Sequence, residues 1–219
     1  MTDDTMISVS LPLIPDADNG NSAIISYELL CDDGLGGDYV SVGGLDPISL
    51  VTEYSITQGI ERGRTYRLIY RTLNDAGWSD YSPALYALSA NAPSAPPAPT
   101  LVSATGTTIK LAFKESEDNG GSKILFYELH MDTGLLGSSF TKSITYGSSL
   151  LMEHELTFTD DAIASGTVYT FKYIAKNIRG YSAFSSEVRF AAATKPSMPA
   201  TPTKVLPLSS KTSITVAWA

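Results

Sequence analysis

The sequence has few of the residues that disulfide bonding, catalysis or membrane insertion would need. Cys31 is the only cysteine among 219 residues, so no disulfide can form within the chain and packing alone must hold the fold together. His130 and His154 are the only histidines. No apolar run approaches the roughly 20 residues of a membrane-spanning helix, which predicts that this segment does not insert into a membrane.

Positive charge is also scarce, above all in the first half of the chain. Residues 1–94 carry 13 acidic and 4 basic side chains, whereas residues 95–195 carry 10 and 9. The remaining residues add only Lys204 and Lys211. Because nucleic-acid binding needs a basic face for the phosphates, this distribution argues against a nucleic-acid partner.

An internal repeat of about 100 residues organises the rest of the sequence. The segment NGNSAIISYEL (Asn19–Leu29) reappears as NGGSKILFYEL (Asn119–Leu129). Further on, Gly63–Ser82 reappears as Gly166–Ser185. Near the end, PSMPATPT and TSITVAW repeat the earlier PSAPPAPT and TTIKLAF, so a third copy begins there.

These matches predict three units of unequal completeness. Unit one (1–92) is expected to lack its first strand, and unit two (93–195) is expected to be complete. Residues 196–219 would supply the first two strands of a third, truncated unit. Under this hypothesis the chain is a window on a longer array of similar domains.

Alternation of residue types predicts strands throughout unit two. Short stretches with β-branched or aromatic residues at alternate positions are separated by turn residues such as Asp132-Thr133-Gly134. We predict seven strands: Thr100–Ser103, Thr107–Lys114, Ile124–Met131, Phe140–Ile144, Glu153–Phe158, Val168–Asn177 and Ser186–Ala192. Seven short strands in about 100 residues indicate an all-β fold of tandem, immunoglobulin-like antiparallel β-sandwiches.

Four repeated motifs then resemble a known family. The first is a strand that ends on a large core residue, Trp218 in the third copy, with Phe113 and Leu13 at the positions that we align with it. The second is a turn followed by Ile-x-x-Tyr-x-Leu, at Ile24–Leu29 and Ile124–Leu129.

The third motif is Gly-x-x-Tyr, which contains Tyr66 in unit one and Tyr169 in unit two. The fourth is Asn-x-x-Gly-aromatic-Ser, at Asn74–Ser79 and Asn177–Ser182. Together and in this order they resemble tandem fibronectin type III domains, of the kind found in giant proteins of unicellular eukaryotes. The resemblance implies that Tyr66 and Tyr169 are buried and bond to backbone a few residues upstream, as in the family's tyrosine corner. The family usually has Trp where we place Leu13 and Phe113.

No constellation in the sequence predicts catalysis or a cofactor. Cys31 lies in a predicted strand without a matched histidine, so we expect it to pack rather than react. Asp16 and Asp18 are weak candidates for a metal site, because they alternate before a glycine as in a calcium loop. The twelfth position of such a loop is Tyr27 rather than Glu, and an acidic turn explains the segment better.

Loop aromatics are the candidates for partner binding. Trp78 and Tyr81 of unit one match Tyr181 and Phe184 of unit two. Exposed Trp and Tyr are favoured as anchors of protein interfaces. The alternative is that these rings pack over the sandwich or against a neighbouring domain, and their recurrence in both units favours packing.

Proline-rich joints connect the units and suggest a mechanical role. Asn91–Pro99 and Lys195–Pro202 lie where one sandwich ends and the next begins, and dense proline stiffens a linker. We therefore predict a non-catalytic structural or adhesive array segment, a spacer and protein docking surface in a filamentous, ciliary or cell-surface assembly. Protein partners or neighbouring copies of the array are expected. A cell-surface or ciliary location is favoured over the cytoplasm.

Two alternatives remain open from the sequence. The segment could instead be an accessory binding module of a larger enzyme or receptor. A further hypothesis is head-to-tail polymerisation, in which residues 196–219 of one molecule complete unit one of the next.

Overall fold

The regular structure of the chain is almost entirely antiparallel β-strand. A computed structural model describes residues 2–135, 137–147, 152–204 and 211–217. Two hydrophobic cores form, one within unit one and one within unit two. The predicted class, all-β with immunoglobulin-like antiparallel sandwiches, is confirmed.

In the described part of unit one, seven strands form two sheets. In the first, β1 pairs with β4; in the second, β2 lies between β3 and β5, and β6 and β7 pair with the other edge of β5. The strands are β1 (Ile7–Ser10), β2 (Ser26–Cys31), β3 (Val40–Gly43), β4 (Glu53–Ile56), β5 (Thr65–Asn74), β6 (Gly77–Trp78) and β7 (Leu85–Leu88).

The alternating pattern of β5 explains how the two faces of its sheet differ. Tyr66 and Leu68 are buried between the sheets, whereas Arg67 and Arg71 lie on the opposite face, because successive side chains of a strand point to opposite sides. The core side is completed by further buried residues: Ile7, Leu11, Tyr27, Leu29 and Cys31. Each such burial contributes about 1.5–3 kcal/mol for a large apolar side chain.

Unit two repeats this plan and, among its described residues, has one more strand and one short helix. Its strands are β8 (Thr100–Ala104), β9 (Thr108–Ala112), β10 (Phe126–Met131), β11 (Lys142–Tyr146), β12 (Glu153–Thr157), β13 (Val168–Asn177), β14 (Gly180–Tyr181) and β15 (Val188–Ala191). One sheet has the order β12-β9-β8. The other has β10 between β11 and β13, with β14 and β15 on the far edge of β13.

The helix α1 (Phe158–Asp161) was not expected from the sequence. Thr157 caps it, since its hydroxyl accepts a hydrogen bond from the Asp160 N–H at 3.1 Å. The Asp161 carboxylate in turn accepts from the Thr157 N–H at 2.8 Å. A single capped turn carries too little periodicity to be seen in a sequence pattern.

The expectation for Leu13 is wrong, because its side chain is 71% exposed. Leu11 occupies the core position instead: its N–H bonds to Thr52 O, as the Phe113 N–H bonds to Met152 O. Phe113 itself is buried in the core of unit two. Leu11 lies 16 positions before Tyr27, whereas Phe113 lies 14 before Tyr127, so an alignment carried back from Tyr27 places the wrong leucine inside.

The described part of residues 196–219 forms a small hairpin. β16 (Thr203–Lys204) pairs antiparallel with β17 (Val216–Ala217). Trp218, expected to be a core residue, lies outside the described residues. Among those described, β1 pairs only with β4, whereas β9 of unit two pairs with both β12 and β8. The unit boundaries and the polymer hypothesis stay predictions.

Candidate functional site

Two serines attach the end of β6 and the segment after it to β5, and so orient the aromatic residues there. Ser79 Oγ accepts a hydrogen bond from the Thr72 N–H at 3.0 Å, and Ser82 Oγ accepts from the Tyr70 N–H at 3.1 Å. Both serine N–H groups also donate to the carbonyl oxygens of the same two residues. This anchoring holds the residues before each serine, Trp78 and Tyr81, beside the outer face of β5.

Arg71 of β5 lies between these two rings. Its guanidinium carbon is 4.5 Å from the centroid of the Trp78 ring and 4.9 Å from that of Tyr81, within range of a cation–π interaction. Its Nε donates to Glu28 Oε2 at 2.6 Å. The Glu28 side chain is only 1% exposed, so this ion pair compensates a charge that would otherwise be buried alone.

Unit two builds a similar face from different cations. Ser182 Oγ accepts from the Ala175 N–H at 3.0 Å and Ser185 Oγ from the Tyr173 N–H at 3.1 Å. The residues before these serines, Tyr181 and Phe184, stack on lysines of β13. Lys176 Nζ is 4.5 Å from the Tyr181 ring centroid, and Lys172 Nζ is 4.9 Å from that of Phe184.

We call these sets the cation–aromatic faces: Arg71, Trp78 and Tyr81 in unit one, and Lys172, Lys176, Tyr181 and Phe184 in unit two. The rings pack on the sheet, yet Tyr81 and Tyr181 remain 48% exposed and Phe184 41% exposed. Packing on the sheet and exposure to a partner, the two alternatives considered for these residues, are therefore compatible. The serines were missed as orienting residues, although their repeated spacing after each aromatic residue was a usable signal.

The joint between the units is a second candidate. The side-chain amide of Asn177 donates to Asn91 O at 2.7 Å and to Asn119 O at 2.8 Å, and the Asn91 N–H donates to Gly120 O at 2.8 Å. Asn177 is fully buried. One asparagine of unit two thus binds both the linker and a loop of its own unit.

Gly120 lets the linker come this close. Its φ of +77° favours glycine, and a Cβ there would lie 2.2 Å from Asn91 O. Beside it, Arg62 of unit one forms an ion pair with Asp118 of unit two. Hydrogen bonds from Arg62 and from the Gly120 N–H hold the pKa of Asp118 below its ordinary value, so the pair is charged at neutral pH.

The two tyrosines of the Gly-x-x-Tyr motif are buried and bonded to backbone. The Tyr66 hydroxyl donates to Gly59 O at 2.8 Å and accepts from the Glu61 N–H at 2.7 Å. The Tyr169 hydroxyl donates to Ala162 O at 3.1 Å and accepts from the Ala164 N–H at 2.8 Å. Each phenol therefore fixes the loop that precedes its own strand.

The remaining candidates have ordinary surroundings. Asp16 and Asp18 lie in an exposed 3-10 helix (Asp16–Asp18). Within the described ranges, no group of three His, Cys, Asp or Glu side chains could hold a metal ion.

Burial, followed by the nearby Asp32 charge, raises the pKa of the Cys31 thiol to about 11. No helix among the described residues is long and apolar enough to cross a membrane.

Comparison with known proteins agrees with the predicted family. The chain is 30% identical over 207 residues to chicken (Gallus gallus) fibronectin type-III domain-containing protein 3a, and 30% identical over 203 residues to the mouse (Mus musculus) protein 3A. The matches include 93% and 91% of this chain, but the chain spans only 16% of the length of each relative. No family model matches the chain.

A crystal structure of titin domains shares the fold. It superposes with a TM-score of 0.51 at 16% identity, covering 86% of this chain and 68% of the titin chain. The two curated relatives are vertebrate proteins, so the expected origin in a unicellular eukaryote stays a prediction.

Proposed function

The chain is a tandem of fibronectin type III domains, and we propose that it is a non-catalytic spacer that holds protein docking surfaces at a restricted orientation within a larger assembly. One observation carries the proposal: unit one, the linker and unit two are tied together by the Asn177–Asn91 and Asn91–Gly120 hydrogen bonds and the Arg62–Asp118 pair.

The linker itself supports the spacer role. Pro93, Pro96 and Pro99 are buried at intervals of three residues, the period of a polyproline II helix. Proline restricts the backbone, so a linker of this composition bends less than one of glycine and serine. Hydrogen bonds at its start, where Asn91 meets Gly120, restrict it further.

The cation–aromatic faces support the docking role. Half-exposed Tyr and Phe rings over a cation offer apolar contact area and charge at one place. Trp, Tyr and Arg, the residues of the face in unit one, are the types enriched in interface hot spots. We infer that protein partners or neighbouring copies bind there, in a filamentous, ciliary or cell-surface assembly. An accessory module of a larger enzyme or receptor would use the same faces, and the domain content of the full-length protein separates these roles.

Pulsed EPR distance measurements test the spacer role. Spin labels at Ala76→Cys in unit one and Thr159→Cys in unit two, both exposed positions, would be placed in a Cys31→Ala background. We expect a narrow distance distribution that broadens in Gly120→Ala, because the new Cβ displaces Asn91 O.

Gly166→Ala is the matched control for this experiment. Gly166 has the same left-handed backbone, with φ +78°, but nothing lies within 4 Å of a Cβ built there. A broad distribution in the unaltered protein, or equal broadening in both glycine variants, would contradict a joint held by contacts at Gly120.

A further inference from the structure

Unit one has an open slot between its two sheets, at the edge formed by β3 and β4. The cavity has a volume of about 580 Å³, and its apolar walls come from Val40, Val42, Ile56 and Ile60. Cys31 lies at its floor. Val40 is 70% exposed and Val42 38% exposed, so this edge presents apolar side chains to solvent.

A difference in loop length distinguishes unit two at the same place. Ile56 and Tyr66 are ten residues apart, whereas Leu156 and Tyr169 are thirteen apart. The additional residues contribute to α1, and Leu156 and Ile163 on either side of it are fully buried. Ile56 and Ile60, which correspond to them, are only partly buried.

The residue at the floor of the slot is also smaller in unit one than its counterpart in unit two. Cys31 faces Leu68 across β2 and β5, and in unit two Met131 faces Phe171 in the same register. Methionine fills more space than cysteine. A shorter loop and a smaller floor residue therefore leave room in unit one that unit two fills with its own side chains.

The backbone beside the slot is free to pair. Within the described ranges, β3 bonds to β2 on one side and to no strand on the other. An unpaired strand edge presents N–H and C=O groups that an extended peptide can bind. Val40 and Val42 alternate along this edge, so an added strand would meet apolar contacts as well as hydrogen bonds.

Charge indicates what such a peptide contains. The first 61 residues include eleven carboxylates and no Lys or Arg. Asp33 and Asp38 line the slot. Hydrogen bonds from the Leu35 and Gly37 N–H groups hold the pKa of Asp33 below its ordinary value, which keeps it charged. The neighbouring cations are already engaged, Arg64 by Glu61 and Arg67 by Asp32.

We propose that the slot and the free edge of β3 bind an extended peptide of a protein partner, with small β-branched side chains entering the slot and flanking Lys or Arg residues beside Asp33 and Asp38. A second copy of this chain is a poorer occupant, since its unit one would bring the same excess of acid to the contact. The proposal goes beyond the cation–aromatic faces, because it adds a second docking surface to unit one and names the chemistry of its partner.

Fluorescence anisotropy with three labelled peptides tests it. The first has a Val-Ser-Val-Ser-Val centre with two lysines at each end, the second has glutamates in place of the lysines, and the third has serines in place of the valines. We expect the first peptide to bind the intact chain at least about ten times more tightly than either of the others.

Variants locate the binding. Cys31→Met, which introduces the residue of unit two, is expected to fill the slot and weaken binding about ten-fold, and Asp38→Asn about three-fold. Asp80→Asn is the matched control: it removes one exposed carboxylate of unit one near the opposite edge of the same sheet. If Cys31→Met fails to fold by circular dichroism, Val40→Lys at the exposed edge replaces it.

Amide hydrogen exchange gives the second measurement, because an added strand should slow exchange in Val40–Gly43. Equal binding of the glutamate peptide, unchanged binding in both slot variants, or no binding up to about 1 mM peptide would overturn the proposal. Dimerisation through the slot, seen by sedimentation, would also overturn it. None of these outcomes affects the EPR test at the joint or binding at the cation–aromatic faces, so this proposal and the proposed function fail separately.

Discussion

Arg71→Met gives the sharpest test of how the cation–aromatic face of unit one is held. The substitution keeps an unbranched apolar stem of similar length, so packing between Trp78 and Tyr81 is largely preserved. It removes the charge that lies over both rings and that pairs with Glu28. The expected result is a large loss of stability in unit one.

The magnitude follows from burial. Breaking a buried ion pair by removing one partner costs about 3–5 kcal/mol. The Arg71 side chain is 22% exposed, so the lower end applies. Loss of two partly exposed cation–π contacts adds about 0.5–1 kcal/mol each, of which methionine recovers part. The sum is about 3–4 kcal/mol.

Urea denaturation followed by Trp78 fluorescence, in a Trp218→Phe background, measures this loss. With a slope of about 1.5 kcal/mol per M, the midpoint should fall by about 2 M. Adding Glu28→Gln removes the uncompensated charge and should restore about 2 kcal/mol. Lys176→Met in unit two, followed by near-ultraviolet circular dichroism, is the control: it removes two ring contacts and should cost about 1 kcal/mol.

A coupling energy below about 0.5 kcal/mol between Arg71 and Glu28 would refute this reasoning. It would mean that solvent, rather than the arginine, already stabilises the Glu28 carboxylate. An Arg71→Met cost no larger than that of Lys176→Met would lead to the same conclusion.

Two further predictions concern buried groups of unit one. Tyr66→Phe leaves the Gly59 carbonyl and the Glu61 N–H without their partner and should cost about 2 kcal/mol in urea denaturation, while Tyr86→Phe on the exposed β7 should cost nearly nothing. Burial raises the pKa of Cys31 from 9.0 to about 11, so the unfolded chain loses this proton first and the thiol's contribution to stability is lost as pH rises through that interval. In Cys31→Ala the free energy of unfolding should therefore fall less steeply between pH 9.0 and about 11. An unchanged pH profile would show that the thiol is not shielded from solvent.

The seven strands predicted for unit two were recognisable because each leaves a local pattern, whereas the two-residue β14 is too short to leave one. Successive side chains of a strand point to opposite faces, so the local alternation alone places Tyr66 and Leu68 on one face and Arg67 on the other. The identity of the core residue that follows β1 was not predictable in this way. Leu11 and Leu13 are two positions apart and would therefore lie on the same face of an extended chain. Only the length of the connection to β2 decides which of them enters the core.

The sites depend on contacts between distant residues, which local patterns do not report. Asn177 and Asn91 are 86 positions apart. The repeated Asn-x-x-Gly-aromatic-Ser motif singles out Asn177, but no local pattern indicates that its side chain bonds to Asn91. Alternation with Tyr66, Leu68 and Tyr70 places Arg71 on the outer face of β5. Its position between Trp78 and Tyr81, however, depends on two serine hydrogen bonds to the backbone. The open slot needed the loop lengths of both units together with the burial of Ile56 and Leu156.

The two repeats suggest that the serines, rather than the cations, position the aromatic residues. Ile174 faces Glu128 in unit two where Arg71 faces Glu28 in unit one, and yet Tyr181 and Phe184 occupy equivalent places. Both units keep the paired serine bonds to the long strand, at nearly equal distances. The ring positions therefore follow from backbone attachment, and the cation beneath can change without moving them. An array in which the serines set the ring positions and separate residues supply the charge can vary the charge of its docking faces from unit to unit while their geometry stays constant.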